Sequence, residues 1–139
     1  MTFGLALAAA DHTNLAGSWQ LDPARSQFGY APVKSETLSI AQTPTSVQFT
    51  EAVVGEGGKE DKVTYDCPPS GQACKARHGD QITFYYNGPV LVMIETKHGG
   101  DSVTKRRIQA SEDGKTLTVE VQRLAPTNQK NDTLVFNRQ

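Results

Sequence analysis

Long helical periodicity, a membrane-length apolar run and a bias of charge are all missing from this 139-residue chain. With 14 basic and 15 acidic residues its formal charge is -1, which gives no electrostatic case for nucleic acid or an anionic surface as partner. The longest apolar stretch, Phe3 to Ala10, falls well below the about 20 residues that cross a bilayer, so no membrane insertion is expected. Histidine and cysteine are scarce. His12, His78 and His98 form no HxH or HExxH spacing and the two cysteines form no CxxC, so neither a metal site nor any other cofactor is expected. No serine occupies a G-x-S-x-G elbow, and "GEGGKE" lacks the spacing and following helix of a phosphate-cradling loop.

What the chain does contain is enough apolar residue, 37%, to build a core at a length that buries roughly two-thirds of the unfolded surface. "MTFGLALAAADHTN" carries an apolar run with small residues at Ala8 and Ala10, the pattern at the end of a secretory signal. We therefore expect residues 1–14 to be a leader or signal-peptide remnant and 15–139 a single domain, secreted or periplasmic. Cys67 and Cys74 bracket "PPSGQA", a segment rich in turn residues that favours a disulfide over a pair of free thiols. A bridge closing so short a loop contributes about 2 to 2.5 kcal/mol in the chain-entropy view.

From Glu36 onward, runs of six to nine residues, often alternating in polarity, recur between turn signals: "ETLSIAQ", "SVQFTEAVV", "DKVTYD", "QITFYY", "VLVMIETK", "SVTKRRIQ", "KTLTVEVQR" and "NDTLVFNR". Short strands at this spacing make an antiparallel sandwich or barrel. Three turns predict register. A two-residue Asn87-Gly88 loop pairs Phe84 with Leu91 and Ile82 with Met93. A Gly99-Gly100 loop pairs Glu95 with Thr104, Met93 with Arg106 and Leu91 with Ile108. A four-residue "SEDG" loop pairs Ile108 with Leu117 and Arg106 with Val119. Together they extend one apolar face over four strands, with Lys105, Arg107, Gln109, Thr116, Thr118 and Glu120 on the opposite, wet face.

Two charges interrupt the apolar face: Glu95 and Arg106, diagonal neighbours on adjacent strands. An inward ionised group is costly unless paired or hydrated. Upstream, Glu36 shares a face with Leu38 and Ile40, and Glu51 shares one with Phe49 and Val53. A closed barrel of about eight strands holds one small ligand, and a polar pair inside would orient it.

The segment "GSWQLDPARSQF", with Leu15, Gly17, Trp19 and Leu21 on one face, resembles the GxW signature of lipocalins and related calycin barrels. In that superfamily the tryptophan packs at the closed end against a basic residue from near the last strand, and Arg138 in "LVFNRQ" matches it here. With "YNG", "TKRRI" and "SEDGKTLTV", the chain is also similar to uncharacterised small secreted bacterial proteins of the Acidobacteria type. The resemblance implies an all-β, antiparallel up-and-down barrel of about 8–10 strands, lipocalin-like, working as a monomer or weak homodimer. The expected function is extracytoplasmic binding of a small apolar or amphipathic ligand by Trp19, Phe84, Tyr86, Met93, Glu95 and Arg106. One alternative is a cofactor-independent hydrolase or proton-transfer enzyme, with Glu95 as general base and Arg106 stabilising an anion. A further alternative is an interaction module with a filled barrel.

Overall fold

The computed structural model describes residues 14–139; the leader expected at the N-terminus, and His12 with it, fall outside the described residues apart from Asn14. Ten strands are formed among them: β1 (Gly17–Leu21), β2 (Ser35–Thr43), β3 (Ser46–Val54), β4 (Glu60–Cys67), β5 (Cys74–Lys75), β6 (Gln81–Asn87), β7 (Val90–Lys97), β8 (Ser102–Ala110), β9 (Thr116–Ala125) and β10 (Asp132–Arg138). They make one antiparallel sheet in the order β4-β3-β2-β1-β10-β9-β8-β7-β6-β5. Every strand lies beside its neighbour in sequence, save that β1 joins β10 and leaves a seam between β4 and β5. The architecture is the all-β, nearly closed up-and-down barrel that the sequence implied, with helical structure among the described residues limited to three-residue turns.

Alternation explains the sidedness. Leu38 and Ile40 on β2, Val47 and Phe49 on β3, Phe84 on β6 and Leu91 and Met93 on β7 are all buried, while the residues between them on β2 and β3 meet solvent. Phe49 packs against Phe84 and Tyr65 with ring centroids 6.4 and 6.5 Å apart, so β3, β4 and β6 meet inside the barrel behind the seam. Each such large side chain contributes roughly 1.5–3 kcal/mol by leaving water.

The β7–β8 register is as expected, with Glu95 opposite Thr104, Met93 opposite Arg106 and Leu91 opposite Ile108. The other two hairpins are each displaced by two residues. Asn87 pairs with Val90, Phe84 with Met93 and Ile82 with Glu95, so the turn is Gly88-Pro89. Gly88 takes φ 58 at the first central position, as a II′ turn requires, and proline disfavours the α-like conformation that the Asn-Gly alternative would place before it. At the β8–β9 turn Ala110 pairs with Leu117, Arg106 with Val121 and Arg107 with Glu120. Asp113 draws the loop later, accepting the Lys115 amide at 3.0 Å and the Ser111 hydroxyl at 2.6 Å. A two-residue shift leaves every side chain on its face, so the expected apolar face survives both corrections.

The seam is tied by side chains. Cys67 and Cys74 form a disulfide, Arg77 makes a two-pronged pair with Asp61 at 3.0 and 3.2 Å, and the Tyr65 hydroxyl donates to Glu95. β5, a two-residue strand, has no periodicity to announce it in the sequence.

Candidate functional site

One end of the barrel is closed. Trp19 is fully buried there, its indole N–H donating to the Leu15 carbonyl at 2.9 Å. The Arg138 guanidinium lies over its ring at 4.1 Å and donates to the carbonyls of Gly114, Ala16 and Asn14 at 2.6, 2.7 and 3.2 Å. Gly17 stands where any Cβ would come within 2.7 Å of that guanidinium, at φ 130. This is the physical content of the G-x-W pattern: the glycine leaves room for the arginine that covers the tryptophan.

The opposite end is hollow. A cavity of about 230 Å³ lies under the β1–β2 connection, roofed by Phe28, Tyr30, Ala31 and Val33. Its apolar wall is Leu38, Phe49, Val53, Val119, Val121 and Leu134, and its polar groups are Glu36, Glu51, Arg106, Arg123 and Asp132. Gly29 holds the roof close, since a Cβ there would lie 2.5 Å from the Asn131 carbonyl oxygen. Its amide donates to Asp132 at 2.7 Å. The cationic groups of Arg123 and Lys130 lie over the Tyr30 ring, 5.0 and 5.9 Å from its centre. Arg123 is fully engaged at the rim, with Asp132 at 2.8 Å and the Lys130 carbonyl at 2.8 Å.

Deeper in, Arg106 is the focus of the acids. It lies 3.6 Å from Glu51, with the charge of Glu95 acting on it as well. Glu36 is buried, 6% exposed, and its pKa is pushed from 4.5 up to about 9, first by burial, then by the charge of Glu51 and the hydrogen bond shared with it. Glu36 is thus a neutral acid at physiological pH, and it reaches the cavity. Burial, followed by the hydrogen bond to Glu95, raises Tyr65 out of the physiological range.

Of the residues nominated from sequence, Arg106 lines the cavity, whereas Trp19, Phe84, Tyr86, Met93 and Glu95 are not among its lining residues. Trp19, Phe84 and Met93 are fully buried in the core, and Tyr86 accepts from Gln42 at 2.7 Å. Glu95 and Arg106 are diagonal neighbours as expected, but Glu95 belongs to the seam, bonded to Tyr65 with Lys97 4.0 Å away. Among the described residues, no group of three or more His, Cys, Asp or Glu is placed to hold a metal ion. The residues sequence reasoning left out are Tyr30, Arg123 and Asp132. Glu36 and Glu51 had shown themselves as carboxylates in otherwise apolar faces.

No family model matches the chain, and no curated protein matches it either. Solved structures do. A secretory abundant heat soluble (SAHS) protein from Ramazzottius varieornatus superposes with TM-score 0.67 at 9% identity, over 90% of this chain and 95% of that one. The fluorescent protein UnaG gives 0.64 at 16%, over 90% and 97%. A Schistosoma mansoni fatty acid binding protein in complex with arachidonic acid gives 0.62 at 11%, over 93% and 98%. The chain shares the fold of these barrels. Trp19 and Arg138 make its floor and the β1–β2 connection its roof, which leaves the cavity between them as the candidate site.

Proposed function

We propose that this calycin barrel binds a small amphipathic molecule in the cavity below Tyr30, and that it does so outside the cytoplasm without catalysing a reaction. The observation that carries this reading is the cavity itself: an apolar wall with a few convergent polar groups at its base, roofed by a packed segment. Its volume, about 230 Å³, lies below the roughly 300–1,000 Å³ of drug-sized sites, so the ligand is small. The disulfide supports an oxidising compartment, and the protein is taken to act as a monomer or weak homodimer. Glu95 as a general base receives less support, because its carboxylate is held in the seam by Tyr65 and does not line the cavity.

An apolar fluorescent probe tests this. Its emission should rise on mixing with the protein, and Val53→Phe, which fills the cavity from a partly exposed wall position, should abolish the rise while leaving the unfolding midpoint within a few degrees. Equal probe binding by the folded variant and the wild type would overturn the reading.

A further inference from the structure

The charges around the cavity do not sum to a site for an acid. Three carboxylic groups, Glu36, Glu51 and Asp132, line it against two guanidinium groups, Arg106 and Arg123. Asp132 and a backbone carbonyl already occupy Arg123 at the rim, under the Tyr30 ring. Arg106 already faces Glu51 at 3.6 Å, with the charge of Glu95 also acting on it. A ligand carboxylate would be a further anion beside a guanidinium that already has two. Glu36 is the group left over when the opposite charges are matched: buried at 6% exposure, it reaches the cavity at the edge of the apolar wall formed by Leu38, Phe49 and Val121.

Resting on the barrel-binding reading above, we propose that the ligand class is a small primary amine, its ammonium seated against Glu36 and its apolar part on that wall. Once Glu36 ionises, the ammonium is its counter-charge, and the two carboxylates, Glu36 and Glu51, then balance the ligand and Arg106. In the empty barrel Glu36 keeps its proton, since burial and the adjacent Glu51 disfavour its ionised form against the weaker pull of Arg106. Entry of a cationic amine reverses that preference. The Glu36 O–H bond breaks, its proton leaves to solvent, and an ammonium–carboxylate pair remains, so one proton is released per amine bound at neutral pH.

Three ligands of similar shape decide the matter: 2-phenylethylamine, 2-phenylethanol and 3-phenylpropionate, titrated calorimetrically into the intact chain. The amine should bind at least tenfold more tightly than the alcohol, and the alcohol more tightly than the carboxylate. The amine's binding enthalpy should differ between phosphate and Tris buffers by the ionisation enthalpy of one proton. Glu36→Gln should bring the amine down to the affinity of the alcohol and abolish the buffer dependence of its binding enthalpy. Carboxylate binding equal to or tighter than amine binding would overturn the proposal and keep the ligand-binding reading; so would equal amine affinity in wild type and Glu36→Gln. Failure of all three ligands, together with failure of the fluorescent probe, would remove both.

Discussion

Glu36 illustrates how one side chain sets a property of the whole fold. The native barrel holds its proton up to about pH 9, whereas the unfolded chain releases it near 4.5. Between those values the native state binds more protons than the unfolded one, so this contribution to stability is complete below 4.5 and disappears as pH rises towards 9. Exposed acids whose pKa is lowered, such as Asp61 hydrogen-bonded to Arg77, work in the opposite direction at lower pH. The useful quantity is therefore a difference: Glu36→Gln, which mimics the protonated form, should gain on the wild type with rising pH, by roughly 3 °C or more in melting temperature between pH 5 and pH 9. A constant gap between the two proteins over that range would show that Glu36 ionises freely. The sequence pointed to this residue through its place on a face with Leu38 and Ile40, since a carboxylate is out of keeping there. Pattern alone could not show that Glu51, fifteen residues on, would sit beside it. That proximity comes from the β2–β3 register, in which Leu38 lies opposite Glu51.

Among elements, β4 is the most exposed to risk. It is an edge of the sheet, and an unpaired strand edge invites other strands. The disulfide, the Arg77–Asp61 pair and the Tyr65–Glu95 bond together replace the ladder that is missing across the seam. Replacing both Cys67 and Cys74 by serine should cost about 2 to 2.5 kcal/mol in denaturant unfolding, with hydrogen exchange accelerated on β4 and β5 and unchanged on β8 and β9. Uniform acceleration would instead mean that the bridge acts on global stability alone. Strands β2 to β4 and β6 to β10 could be read from alternation and turn residues because their periodicity is local. The roof could not: residues 22–34 have no repeating pattern, and Tyr30 gains its role only by lying against Arg123 on β9 and Lys130 in the loop before β10. The nominated aromatic and sulfur side chains were correctly sent inward by parity, but parity does not say at which level of a barrel an inward residue sits. Trp19, Phe84 and Met93 fill its packed portion, and the cavity opens above them.

At the scale of the molecule, closure rests on the join between β1 and β10. Trp19 pairs with Arg138 and Leu21 with Phe136, and the Gln139 amide adds a bond to the Ser18 carbonyl at 2.9 Å. Arg138→Ala removes three charged hydrogen bonds and the cover over the indole. It should cost on the order of 3 kcal/mol and shift the emission of the single tryptophan to longer wavelength. An unshifted spectrum would mean that other groups exclude water from Trp19. The same join carries a consequence in time. Arg138 reaches back 122 residues to the Ala16 carbonyl, so on the ribosome the first strand waits with one edge bare and its indole uncovered until the tenth has been made. Pairings of such separation form late. A barrel whose floor needs its tenth strand stays open until that strand has been made, and until then its core is within reach of water.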